Sequence, residues 1–460
     1  MSLELAGPRV IAPFFGTSML VWASMISTVF ICITLGYFAG GILANRLNKS
    51  NDWLIVRLLF SSALSLCFIA LTKDYILQYI HSLTDFSRIL KTIIASTLLY
   101  VIPIFLLSII PILISRVEIK AEENKAKTLS IIFSSASIGG LLGIWVSTLI
   151  LIPHLGSNII LYFISSLLFI SVALFTSEEK WLSLFSLLSC LYIFYSIYQF
   201  SIQKKSYIDI DSAYNRILIF DDPSTQTKVL QLNNHINSAF YPNNPDSIVY
   251  RYNRIFAAEI LQKEKLKKIL VLGGAGYSLT KYLQLKNPTL KIDVVEIDEK
   301  LTRLAKSEFK LKNAKNTRFF NEDAKTYLNN SSELYDAIIW DVFSSAENIP
   351  DHLTTIETGK SIKKILNPFG LLYINTLSSL KGKNSTFLKS ELKTYHHLFS
   401  NLKTHNVSSS SDSTVIQNIL IQASNQNHTS QVFFSINSDF YADAFVLTDQ
   451  YCPASYLNKM

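Results

Sequence analysis

Three acidic residues follow one another at the ends of apolar runs. Glu296 closes the strand-like part of "KIDVVEID" (291–298), Asp323 ends "TRFFNED" (317–323), and Asp341 ends the fourth run, "YDAIIWDV" (335–342). Upstream, Gly273, Gly274 and Gly276 cluster in "KKILVLGGAGYSLTKYL" (267–283). A buried strand running through glycines into a helix lets the backbone approach a nucleoside, and an acid about 20 residues further on can accept both ribose hydroxyls. An acid on the next strand end can accept an adenine amino group, and a third stands at the mouth of the site. One strand-end acid also reads as a helix cap. Three on successive strands beside a glycine loop point to a ligand site. The loop reads G-G-A-G, not the dinucleotide G-x-G-x-x-G, and the sequence shows no Walker loop or zinc-binding helix.

The elements that must hold these residues alternate in type. "KKILVLGG", "KIDVVEID", "TRFFNED", "YDAIIWDV" and "GLLYINTL" (370–377) are strands separated by amphipathic helices. That pattern predicts a parallel, doubly wound, Rossmann-like sheet with its ligand at the carboxyl ends of the strands. "TVIQNILIQAS" (414–424) and "QVFFSI" (431–436) are expected to close it as an antiparallel pair. Before the sheet, "NRILIFDD" (215–222), "TKVLQLNN" (227–234) and "INSAF" (236–240) predict a small meander, with turns at 221–224 and 233–234. Asp449 in "LTDQYCP" reads as a local cap.

The remainder is apolar. Of 460 residues, 49% are hydrophobic and only 17% charged, against about a quarter in an ordinary soluble chain. The excess sits in the first 200 residues. Runs at 18–44, 54–72, 91–115, 128–151, 157–176 and 181–200 are candidate membrane spans. Small residues in "GYFAGGIL" (36–43) and "SSASIGGLLG" (134–143) suit close helix packing. No charge falls in the middle of any run, which counts against an ion route. Basic residues in the first and third connections place both in the cytoplasm. The soluble domain would then lie outside, so 181–200 is expected to lie along the interface instead. The net charge of +8 suits an anionic membrane surface. No interleaved basic and aromatic pattern argues for nucleic acid. The four cysteines lack metal-ligand or disulfide spacing, and no cleavable signal peptide is evident.

Several phrases resemble one family. "DSAYNRILIF" (211–220), "VVEIDEK" (294–300), "DVFSSAENIPDHLTT" (341–355) and "VLTDQYCPASYL" (446–457) resemble the spermidine synthases, or polyamine aminopropyltransferases. "LELAGPRVIAPFFGTSMLVWASMI" (3–26), "GYFAGGILANRL" (36–47) and "SIGGLLGIWVSTLILIPHLG" (137–156) resemble the membrane segment fused to many bacterial members. The resemblance implies an N-terminal transmembrane helical domain over 1–203, with about six spans behind a shortened leading helix. It also implies a small β subdomain over 207–255 and an α/β class I methyltransferase-like domain over 256–460. Decarboxylated S-adenosylmethionine would be the co-substrate, with no prosthetic group or metal, and a small polyamine such as putrescine the acceptor. A bacterial inner-membrane location with a cytoplasmic catalytic domain follows, and a homodimer is compatible with it. Residue by residue, Gly273, Gly274, Gly276, Glu296 and Asp323 would cradle the nucleoside, and Asp341 would stand by the attacking amine. Tyr214 and Tyr250 would line the groove, and His352 sits at its mouth.

The sequence also departs from the family. The usual loop reads G-G-G-D-G-G, and its Asp, which holds the donor's amino group, is here Gly276. A second amine anchor is Ser344. The tyrosine-histidine-glutamate phrase becomes Tyr250, Arg251 and Tyr252, and a cation at Arg251 suits a carboxylate better than an ammonium. Aminopropyl transfer therefore stands beside two alternatives: a methyltransferase using intact S-adenosylmethionine, and a non-catalytic adenosyl-ligand-binding or transport protein. In the first case Asp341, Glu347 or Asp351 would replace the missing acids.

Overall fold

The computed structural model describes all residues except 1, 16–18, 47–51, 84–85, 119–124, 176–179, 203–206, 234, 245, 344–349, 409–411, 454–456 and 458–460. The chain divides into two compact units, Met1–Lys205 with Ile210–Ala213, and Ser206–Asp209 with Tyr214–Met460.

The first unit is helical: α1 (Ser2–Phe15), α2 (Met19–Arg46), α3 (Asp52–Ser82), α4 (Arg88–Glu118), α5 (Lys125–Val146), α6 (Ile152–Phe175) and α7 (Lys180–Ile202). A π-helical turn, Ser147–Leu151, joins α5 to α6. Among the described residues, four helical stretches are long and apolar enough to cross a membrane: Val21–Arg46, Trp53–Ser82, Ile89–Ser115 and Ala126–Leu151. Ile159–Phe175 and Trp181–Tyr195 are apolar but shorter. The glycines at 36 and 40 let α2 and α4 touch: a side chain at Gly36 would come within 2.8 Å of the Phe105 carbonyl oxygen. Gly139 in α5 faces open space, so the second small-residue run shows no such contact there.

The second apolar run, 54–72, lies within the longer α3, which continues to Ser82 and carries Lys73 and Asp74. Lys73 is buried and its Nζ lies 2.8 Å from Asp74 Oδ1. Pairing within the helix offsets part of the desolvation cost of a charge there.

The second unit holds two sheets. β1 (Tyr207–Asp211), β2 (Arg216–Asp222), β3 (Thr227–Leu232) and β4 (His235–Phe240) form the small sheet in sequential order. Asn233, at φ +57°, makes the turn into β4. The sequence reading missed β1, because "YIDID" is short and half acidic. α8 (Arg251–Leu261) leads to the large sheet. There β5 (Lys268–Leu272), α9 (Ser278–Lys286), β6 (Lys291–Val295), α10 (Glu299–Glu308), β7 (Thr317–Phe320), α11 (Ala324–Asn330), β8 (Tyr335–Trp340), α12 (Ile356–Ile365), β9 (Leu366–Ser378) and α13 (Thr386–His396) alternate. β10 (Asn401–Asn406), β11 (Gln417–Ser424) and β12 (Phe434–Ser435) complete it.

The large sheet runs β12-β10-β11-β9-β8-β5-β6-β7, with β5 to β9 parallel and the last three antiparallel. The inner parallel strands β5, β6, β8 and β9 are largely buried on both faces, which is why they read as apolar runs, while β7 at the sheet edge is only partly buried. Leu270, Leu272, Ile338, Trp340, Leu372 and Ile374 pack into one core. Ile269, Val271, Ala337, Ile339, Leu371 and Tyr373 pack into the other. The expected pairing of 414–424 with 431–436 is not observed. β10 lies between them, and its polar "NLKTHN" gave no apolar signal.

Candidate active site

β5 has β8 on one side and β6 on the other, so strand order reverses there and a crevice opens at the carboxyl ends. Gly273 and Asp341 meet at that point. Gly273 has φ +89°, and a Cβ on it would stand 2.2 Å from the Asp341 carbonyl oxygen. Both the dihedral and the close approach require glycine.

Glu296 holds the loop itself. Its Oε2 accepts from the amides of Gly274 at 2.8 Å and Ala275 at 3.0 Å, and its Oε1 accepts from Asp298 N at 3.0 Å. Burial raises its pKa, opposed by these three donors. An ionised carboxylate offers about four acceptor positions. Three are taken, so this arrangement leaves room for one ribose hydroxyl where the sequence suggested two. Ala275 and Tyr277 both lie in the left-handed region, at φ +43° and +56°. Tyr277 is secured there by a 2.7 Å hydrogen bond with the Thr302 hydroxyl. Asn321 Nδ2 donates to the same hydroxyl at 2.9 Å and to the Glu296 carbonyl at 3.1 Å.

Gly276, where the family phrase carries an acid, is buried against β4. A Cβ there would lie 2.3 Å from Ser238 Oγ and 3.6 Å from Phe309 Cδ1. The Ser238 and Ser278 hydroxyls are 3.0 Å apart. A serine of the small sheet thus occupies the space a side chain at 276 would need.

Asp341 is half-buried and hydrogen-bonded from two sides. Asn375 Nδ2 donates to its Oδ1 at 2.8 Å, and the Tyr252 hydroxyl donates to the carboxylate. Asn418 Nδ2 in turn donates to Asn375 Oδ1 at 2.9 Å. Burial pushes the Asp341 carboxyl up to about 6, against the pull of Asn375 and Tyr252. Burial and the Asp341 charge push the Tyr252 phenol well above its usual range. Tyr250 stacks beside Tyr252, with ring centroids 6.1 Å apart. A carboxylate titrating near neutrality, set among aromatic rings, can take a proton from an amine.

Asp323 caps α11, accepting from Thr326 N at 3.0 Å, and its other oxygen lies 3.1 Å from His352 Nε2. Burial works against its charge, but these partners hold it below the usual carboxylate range. The cap weighed against a ligand role is therefore present, and His352 is joined to Asp323 rather than to Asp341. Tyr214 is exposed between β1 and β2, and Arg251 is exposed at the start of α8. Ser344 and Glu347 lie outside the described residues. Asp449 is not a local cap: it accepts from Thr355 Oγ1 at 2.7 Å and Lys325 Nζ at 2.6 Å. Among the described residues, no group of three or more His, Cys, Asp or Glu could hold a metal. Sequence reasoning did not assign site roles to Tyr252, Asn375, Asn418 or Ser238. The two asparagines carried a signal, as polar residues inside apolar strands.

Residues 252–431 match the spermine/spermidine synthase domain. The chain carries a domain of this family. The synthase domain extends the likeness to a polyamine aminopropyltransferase of Vibrio vulnificus (strain CMCP6), 27% identical over 300 residues, or 60% of this chain and 97% of the relative. Polyamine aminopropyltransferase 2 of Bacillus cereus is 31% identical over 112 residues, covering 23% of this chain and 30% of that one. The structure of a probable spermidine synthase from Corynebacterium glutamicum superposes with a TM-score of 0.47 at 21% identity, over 53% of this chain and 96% of the other.

Proposed function

We propose that this protein is a membrane-anchored aminopropyltransferase that moves an aminopropyl group from decarboxylated S-adenosylmethionine to a small polyamine such as putrescine. The observation that carries the reading is Asp341 at the strand-order reversal: its backbone carbonyl lies against Gly273, and its carboxyl, pushed up to about 6 by burial, accepts from the Tyr252 phenol. The protonated acceptor amine gives its proton to Asp341. The nitrogen lone pair then attacks the methylene next to the sulfonium, the C–S bond breaks, and its electron pair leaves on methylthioadenosine. The sulfonium is already a good leaving group, so the protein has to orient the donor and free the amine.

Glu296 takes a ribose hydroxyl and Asp323 the adenine amino group, while Tyr214 and Tyr250 line the acceptor groove and His352 its mouth. The helical unit anchors the protein, because large apolar side chains such as Phe30, Phe38, Phe68 and Phe175 are exposed on its helices and suit lipid.

A second reading has one observation in its favour. Gly276 faces the Ser238 hydroxyl rather than a carboxylate, which removes the family's partner for the donor amine and suits intact S-adenosylmethionine, with Arg251 as a cation for its carboxylate. Calorimetric titration of the full-length protein with both forms separates the two. Tighter binding of the decarboxylated form supports aminopropyl transfer. Tighter binding of the intact form, lost in Arg251→Ala, moves the protein to methyl transfer.

A further inference from the structure

We propose that Asn375 and Asn418 are positioning residues that act as a two-amide relay, fixing which acceptor position of Asp341 is left open to the incoming amine. This rests on the aminopropyl-transfer reading for its catalytic meaning, but the relay itself is a property of the folded protein.

The polarity of the relay follows from what each group can offer. An ionised carboxylate only accepts, so the Asn375 amide must turn its NH2 toward Asp341. Its carbonyl oxygen then needs a donor, and Asn418 Nδ2 supplies one at 2.9 Å. The two asparagines sit on β9 and β11. Asn375 pairs with Leu420, two residues beyond Asn418, which places both side chains on one face as diagonal neighbours. Asn375 is 1% exposed, so water does not stand in for either partner. If Asn375 turned over, its oxygen would face the Asp341 carboxylate and its NH2 would face the Asn418 NH2. Both contacts would be repulsive, so the chain of donors locks itself in one direction.

The groups recorded as acting on the Asp341 carboxylate come from two elements. The Tyr252 phenol reaches it from α8, with Tyr250 stacked behind, and the neutral amide of Asn375 reaches it from β9. With Asn375 donating to Oδ1 and Tyr252 also donating to the carboxylate, its plane is held and the remaining acceptor positions face fixed directions. A proton from the substrate amine can then be received without the carboxylate first rotating.

Asn418→Asp tests the relay with almost no change of shape. It replaces the donor with acceptors, and Asn375 can satisfy that only by turning its oxygen onto Asp341. Asn418→Ala removes the donor without adding charge and keeps the test open if the first variant does not fold. Two readouts are taken on full-length protein in detergent. One is an infrared titration of the Asp341 carboxyl, identified as the band missing in Asp341→Asn. The other is methylthioadenosine release from decarboxylated S-adenosylmethionine and putrescine.

The expected result is an Asp341 midpoint that rises in Asn418→Ala and rises further in Asn418→Asp, because a lost donor disfavours the charged form. Turnover should fall about 5-fold and then about 50-fold, in kcat more than in the acceptor KM. An unmoved midpoint in folded Asn418→Asp overturns the relay. If the wild type releases no product, aminopropyl transfer fails, and the infrared midpoints still decide the relay.

Discussion

Gly276→Asp restores the acid of the family phrase, and the structure states what that would cost. Position 276 is buried, and the new Cβ would stand 2.3 Å from Ser238 Oγ and 2.6 Å from Ser238 Cβ. Both distances are too short for contact, so the β4 serine must move. Overpacking of this kind costs about 1–3 kcal/mol. Moving the serine also breaks its hydroxyl pair with Ser278, worth about 1 kcal/mol. The single variant should therefore be less stable than wild type by about 2–4 kcal/mol. Ser238→Gly should lose about 1–2 kcal/mol, through the hydroxyl pair and a glycine within a strand. In the double variant the collision is gone, so the two losses should not add. The coupling should be favourable by about 1–2 kcal/mol in a double-mutant cycle. Denaturant unfolding of the full-length chain, with the near-ultraviolet signal of the synthase domain as probe, reads all four corners. Calorimetry on the double variant should then show decarboxylated S-adenosylmethionine binding about 10-fold tighter than in wild type, through the new carboxylate. A single variant as stable as wild type, or a strictly additive cycle, would refute the packing of this loop against β4.

Other perturbations have definite signs. Asp341 is held up at about 6 against a reference of 3.8, so its stabilising contribution is present below about pH 4 and is lost as pH rises through 6. Asp341→Asn should accordingly be more stable than wild type at pH 8 by about 3 kcal/mol, with no gain near pH 4, and it should abolish turnover. Thermal melts at the two pH values check the crossover. Glu296→Ala leaves two loop amides and that of Asp298 without their acceptor and should cost about 2–4 kcal/mol along with all nucleoside binding, read by melting and by calorimetry. Asp293 is buried, accepts two hydrogen bonds from Arg318 at 2.7 and 2.6 Å, and accepts from Tyr335 OH at 2.7 Å. Asp293→Ala should destabilise the sheet by about 3–5 kcal/mol in denaturant unfolding, at the strand ends away from the ligand loop and without a specific effect on KM.

What the sequence made legible was the part whose physics is local. The inner strands β5, β6, β8 and β9 are apolar because both faces are buried, and the acids stand where the parallel strands end. Gly273 is glycine for two reasons that each leave a trace in the sequence. Polar strands were harder: "YIDID" in β1 and "NLKTHN" in β10 have no apolar period, and they are strands because a neighbour pairs with them. The helix α3 runs past its apolar stretch, and the charges Lys73 and Asp74 pair with each other inside it. Site partners brought together across the sheet were invisible in the same way. Asn418 meets Asn375, and Ser238 meets Gly276, only through tertiary packing. Glu296 shows the limit from the other side. Its position beyond the glycines was evident, but the sequence could not show that two loop amides and Asp298 N already take three of its acceptor positions.

The central claim is that Asp341 frees an amine for attack on an adenosyl sulfonium. The most direct measurement is methylthioadenosine release by the full-length protein, supplied with decarboxylated S-adenosylmethionine and putrescine, in wild type and Asp341→Asn across pH 5 to 9. The account predicts putrescine-dependent release whose acid limb lies near pH 6, and none from Asp341→Asn. Equal release from both proteins, or release independent of any amine, would contradict it.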